Sequence, residues 1–330
     1  MSSNDPLLEL LKGVSRSFYL SVAFLPGSVR QQIAVAYLLA RASDTIADVD
    51  SVAPSTRIDL LNQFCRSVRN GVMEVELTGE FRSPAESETA MLRRVDELLA
   101  RLRSFEPEDQ RLIREVLETI TSGQLLDLTR FKNANVENIV ALETAAELDD
   151  YTFRVAGCVG LFWTKLCRRH LFPAATLDFE ALLQEGVAFG QGLQLVNILR
   201  DLPADLRQGR CYLPKSSLSE SNLRPSDLLS KETEPRLRPI YSELLDLAES
   251  KLDSARRYTD RLPYTQFRLR FACHPPVLIG QETLRKLREA NVLAAAQRVK
   301  VSRCDVRSIS FRSGVRCLLP AQAWNERAAP

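Results

Sequence analysis

Two stretches of this chain each hold a pair of carboxylates four residues apart inside an otherwise apolar run, and this constrains the fold more than any other feature. Asp44-Thr-Ile-Ala-Asp48 closes the run IAVAYLLARASDTIAD, and Asp201-Leu-Pro-Ala-Asp205 closes FGQGLQLVNILRDLPAD. Residues i and i+4 lie on one face of an α-helix, about a turn apart. Traced backward by threes and fours, the first face gains Arg41 and Tyr37; the second gains Asn197, with Gln194 and Arg200 beside it. A single acidic pair on a helix is ordinarily solvated surface. Both of these sit in segments too apolar for an exposed face, and burying unpaired carboxylates is costly. A hard cation such as Mg²⁺ resolves the cost, because it takes carboxylate oxygens and keeps sites for water and substrate phosphates. Arg41 and Arg200 then offer forked donors for diphosphate oxygens. Pro203 removes a backbone donor within the second motif, so that helix is expected to kink or tighten and to end near Asp205, with residues 207–214 folding over the site as a lid.

The rest of the chain also reads as helical. Glycine is scarce, 13 in 330 residues, and Leu, Ala, Arg and Glu are abundant helix formers. Helices are expected at 28–49 (capped by Ser28), 55–70 (closed by Gly71), 88–104 and 107–131. Residues 136–171 read as two helices or one bent helix, with VAGCVG supplying small residues for close approach. Further helices are expected at 179–206 (capped by Asp178), 237–262 and 276–296, with loops at 78–87 and 214–236. No Gly/Ser linker or short-period repeat interrupts them, which predicts a single all-α domain over 1–330.

Charge and composition exclude several classes. The 44 basic and 42 acidic residues leave a net charge of +2, too little to argue for nucleic acid as partner. No uncharged apolar run reaches the length of a membrane span, and the N-terminus lacks a secretory layout, so a cytosolic chain is expected. Seven cysteines without a C-x-x-C pair fit neither a disulfide framework nor a zinc site. With only His170 and His274 present, carboxylates must hold any metal. Arginines interleave with apolar residues over 301–330, which suggests a transient peripheral membrane contact; no protein partner is readable.

The segments SRSFYL (15–20), YLLARASDTIAD (37–48), YTFRVAGCVG (151–160) and LQLVNILRDLPADLRQGRCYLP (193–214) together resemble the squalene/phytoene synthase family, enzymes that join two isoprenyl diphosphates head to head. The resemblance implies a class I isoprenoid synthase fold, a helical bundle around a deep central cavity with the two aspartate motifs facing each other near its mouth. It implies that Asp44, Asp48, Asp201 and Asp205 bind Mg²⁺ bridged to diphosphate, and that Arg16, Ser17, Arg41, Gln194, Asn197 and Arg200 hold the diphosphates. Many relatives carry tyrosine one or two residues before Val-Ala-Gly; this chain has Phe153 and Arg154 there and Tyr151 upstream. Tyr151 and Tyr37 are thus candidates for cation stabilisation or proton handling, or packed core residues. Phe18, Phe153, Phe162, Phe189 and Leu193 read equally as cavity lining or core.

Within the family, SRSF followed by YLxxRxxDT is most similar to squalene synthases, as is RFACHPPVLIGQETL (270–284). VKVSR (299–303) resembles their basic segment near NADPH, where Lys300 and Arg303 would contact its phosphates; a solvated strand or loop is the other reading. The implied reaction takes two farnesyl diphosphates through presqualene diphosphate to squalene, with Mg²⁺ and reduction by NADPH. The alternatives are a synthase that stops at presqualene diphosphate or makes dehydrosqualene or phytoene, and a non-catalytic isoprenoid-binding or assembly factor.

Overall fold

The periodicity of the apolar residues dictates helices, and the computed structural model is built of them. It describes residues 6–49, 51–74, 86–294, 299–302, 304–306, 308–309 and 313–314. The helices are α1 (Pro6–Val14), α2 (Arg16–Phe24), α3 (Gly27–Asp48), α4 (Pro54–Asn70), α5 (Glu86–Leu92), α6 (Val95–Arg103), α7 (Pro107–Arg130), α8 (Ala145–Thr152), α9 (Cys158–Leu171), α10 (Phe179–Arg207), α11 (Lys215–Glu220), α12 (Glu234–Arg261) and α13 (Phe267–Glu289). Two short strands, β1 (Val140–Leu142) and β2 (Arg210–Pro214), pair in parallel. The all-α reading therefore holds. Contacts divide the chain into two compact units, Met1–Thr129 with Phe162–Ala174, and Arg130–Leu161 with Ala175–Pro330.

In the first unit α3 is the central element, packed against α1, α2, α4, α5 and α6. Its N-cap is Pro26 rather than the expected Ser28, which falls inside the first turn. α4 ends at Gly71, whose positive φ of 73° closes the helix as its sequence predicts. The helix expected over 88–104 is two helices, α5 and α6, broken at Arg93 and Arg94. The buried carboxylate of Asp109 is satisfied by Gln32, 3.1 Å away, and by His170, 2.8 Å away.

In the second unit α10 packs along α12 and α13, and Asp178 caps it by accepting from the Ala181 amide at 3.0 Å. Residues 136–171 begin with β1, which the sequence reading missed, and then run through α8 into a π-helical turn, Phe153–Gly157, before α9. Of residues 207–214, expected as a loop folding over the site, 210–214 form β2, which is largely buried, with Cys211 and Leu213 fully enclosed. Pro276, expected to begin the last helix, lies with Pro275 inside α13, which starts at Phe267. The described residues after α13 pack back on it. Lys286 donates to the Lys300 carbonyl at 3.3 Å and pairs with Asp305, while His274 meets Ser313 at 2.9 Å.

The small residues of VAGCVG act as expected, by letting backbones approach. A methyl on Gly160 would lie 1.8 Å from the Gly186 carbonyl oxygen, and one on Gly190 would lie 2.1 Å from that of Ala156. Backbone on both sides leaves no flexible atom to yield. Gly190→Ala should therefore cost about 3 kcal/mol in urea unfolding. Gly27→Ala, where nothing lies within 4 Å, should change stability by less than about 1 kcal/mol. Equal midpoints for the two variants would contradict this account of the contact.

Candidate active site

On α3 nearly every position from Ile33 to Val49 is buried, and the more open ones are Tyr37, Ala40, Arg41, Asp44 and Asp48. The polar ridge read from the sequence is thus a stripe on the enclosed C-terminal two-thirds of the helix. Tyr37 stacks on Phe18, ring centroids 4.1 Å apart. The Arg41 Nη2 donates to Glu88 of α5 at 2.5 Å, and its Nη1 lies 3.8 Å from Asp44. Gln124 of α7 donates to Asp44 at 2.5 Å. Glu88 and Gln124 are site residues that the sequence reading missed.

Asp44 carries the clearest electrostatic signal. Its carboxyl is pushed up to about 6, first by loss of hydration and then by the like charge of Asp48, against the opposing pull of Arg41 and Gln124. Two carboxylates held at this spacing, with their charge only partly compensated by protein, make a donor set for a hard cation. Magnesium is commonly held by one or two carboxylates plus ligand phosphates rather than by a protein cage. Among the described residues no group of three His, Cys, Asp or Glu side chains is placed to hold a metal.

On α10 the corresponding stripe is Leu193, Gln194, Asn197, Arg200, Asp201 and Asp205, all partly open between buried neighbours. Arg200 grips Asp201 in a two-pronged pair, Nε to Oδ1 at 2.9 Å and Nη2 to Oδ2 at 2.7 Å. The Arg200 fork is thus engaged with its neighbouring carboxylate. A small cleft opens beside it, lined on the α10 side by Leu199, Arg200, Asp201, Pro203, Ala204 and Arg207. Its other side includes Leu287, Asn291, Val292 and Val299. Lys300, next to Val299, is exposed. Tyr151 is buried and stacks on Tyr212 at 4.8 Å, immediately before the π turn. Arg303 lies outside the described residues, as do the side chains of Arg16 and Ser17.

The raised Asp44 value makes a signed forecast for the metal-free protein. Below the ordinary carboxyl range the group is protonated whether folded or unfolded and has no effect. As pH rises through about 6, the folded state must hold a charge it disfavours, so stability is lost. Asp44→Asn should raise the unfolding free energy at pH 7.5 in chelator, by no more than about 1 kcal/mol for a half-exposed side chain, and leave it unchanged at pH 3.5. An equal effect at both pH values would refute the assignment.

A family model described as "Squalene/phytoene synthase" matches residues 11–305, a span that includes parts of both compact units. The bifunctional lycopene cyclase/phytoene synthase of Pyrenophora tritici-repentis is 30% identical over 271 residues, 78% of this chain and 42% of that protein. Squalene synthase ERG9 of Saccharomyces cerevisiae is 30% identical over 226 residues, 68% of this chain and 49% of that protein. The chain thus spans about half the length of these relatives. Among solved structures, TcSQS in complex with E5700 superposes with a TM-score of 0.78 at 20% identity, covering 94% of this chain and 87% of that one. The fold is that of the isoprenoid synthases, and the chain belongs to the squalene/phytoene synthase family.

Proposed function

We propose that the chain is a prenyltransferase that condenses two farnesyl diphosphates head to head, through presqualene diphosphate, to squalene. The observation that carries this reading is the partly open stripe of Tyr37, Arg41, Asp44 and Asp48 on a helix that from Ile33 onward is otherwise buried apart from Ala40. Asp44 and Asp48, and in the same role Asp201 and Asp205, would hold Mg²⁺, which stabilises the negative charge of a departing diphosphate. Arg41 contributes further cationic donors to that charge, with Arg16, Ser17, Gln194, Asn197 and Arg200 completing the diphosphate contacts. Tyr37 and Tyr151 present aromatic faces suited to an allylic cation, and their packing against Phe18 and Tyr212 fixes those faces. Apolar side chains such as Leu193 keep water from a cation it would quench.

NADPH would supply the hydride of the reductive step. The cleft beside Asp201 joins two guanidinium groups, Arg200 and Arg207, to an apolar wall. This suits a ligand with both phosphates and rings, and Lys300 with Arg303 would add charge. The similarity to phytoene synthases favours a second reading in which the hydride step is absent and the product is presqualene diphosphate, dehydrosqualene or phytoene. Both readings keep the substrates cytosolic or at a membrane surface, with the tail as the region of transient contact.

The test is incubation of purified protein with farnesyl diphosphate and Mg²⁺, with and without NADPH, and identification of the lipids by mass spectrometry. Squalene formed only with NADPH is the expected result; a C30 product indifferent to NADPH selects the second reading, and untouched substrate in both arms removes farnesyl diphosphate as the substrate of either. Asp44→Asn and Asp201→Asn should each lower turnover by at least about a hundredfold with the circular dichroism spectrum unchanged. Retained turnover in both variants would overturn the metal assignment.

A further inference from the structure

Pro203 stands inside α10 between Asp201 and Asp205. Its ring nitrogen has no hydrogen, so the carbonyl four residues earlier, that of Leu199, loses its helical donor. Leu199 is only 1% exposed, and a buried carbonyl left without a partner is unfavourable. The helix nonetheless runs on to Arg207.

The missing donor comes from another helix. The Tyr241 hydroxyl, on α12, donates to the Leu199 carbonyl oxygen at 2.9 Å, and Tyr241 is fully enclosed. The Arg238 guanidinium sits 5.6 Å from the centre of the Tyr241 ring, and Arg238 is itself held by the Leu287 carbonyl at 3.2 Å. Burial raises the phenol well above its ordinary range, so the hydroxyl keeps the proton it donates.

We propose that Tyr241 is the positioning residue of the second aspartate pair: its hydroxyl replaces the donor that Pro203 removes, and so holds Asp201 and Asp205 on one face of an uninterrupted helix. The claim concerns geometry at Leu199, and its functional consequence rests on the reading of Asp201 and Asp205 as residues for Mg²⁺ and diphosphate. Tyr241 touches neither metal nor substrate in this account; it acts through the backbone of α10. Pro203→Ala restores an amide that can donate to Leu199 directly, which gives the proposal a rescue.

The experiment compares the wild type, Tyr241→Phe, Pro203→Ala and the double variant. Tyr241→Phe should speed amide hydrogen exchange at residues 204–207 by about tenfold. It should also raise the Mg²⁺ concentration needed for half-maximal turnover of farnesyl diphosphate by about tenfold, with a smaller fall in kcat. The double variant should return both readings to near those of Pro203→Ala alone. Unchanged exchange and Mg²⁺ dependence in Tyr241→Phe, or no recovery in the double variant, would overturn the proposal. If Tyr241→Phe does not fold, recovery of the fold in the double variant supports it and failure to recover refutes it. A wild-type protein inert toward farnesyl diphosphate would sink the reading of the site, and the exchange arm then decides the role of Tyr241.

Discussion

The difficulty of stripping water from a carboxylate governs the arrangement of both long motif helices. α3 is enclosed by five other helices, so it can be stable only if its surface is apolar at almost every turn. The acidic stripe is what remains, and the protein compensates it only in part. Gln124 and Arg41 stabilise the charge of Asp44, while Asp48 opposes it. On the proposed reading, that residual imbalance is what a magnesium ion would offset. On α10 the compensation is more local, since Arg200 closes on the very next residue.

These features differ in how far the sequence declares them. The two stripes were legible because helical periodicity alone puts Asp44 with Asp48, and Asp201 with Asp205, on one face. Gly71 and Asp178 declare helix ends through their own backbone and side-chain chemistry, and both do so in the structure. The partners of the first stripe were not legible. Glu88 lies 47 positions from Arg41, and Gln124 lies 80 positions from Asp44; no local pattern distinguishes them from other polar residues on amphipathic helices. β2 failed for a related reason. Its stabilising partner, β1, is some 70 residues earlier in register, Val140 opposite Arg210, and a short apolar run without that partner reads as a loop.

Prolines were misread in a consistent direction. Pro276 reads as a helix start, because a first turn has no use for its missing donor, yet it sits within α13 beside Pro275. Pro203 was expected to kink or tighten α10 and end it near Asp205, yet the helix runs on to Arg207, with Leu199 supplied by a tyrosine 42 residues away. Each histidine meets a polar partner, Asp109 for His170 and Ser313 for His274.

The π turn at Phe153–Gly157 has a bearing on how this chain can change over time. Such a turn amounts to one residue more than an α-helix needs for the same path. Losing a residue there would turn everything on its N-terminal side by about 100°, and the ring of Tyr151 could no longer lie on Tyr212 while the glycines beyond kept their contact with α10. The segment can therefore drift in composition but not in length, and its register is a fixed gauge by which an aromatic face and a backbone contact are kept in step.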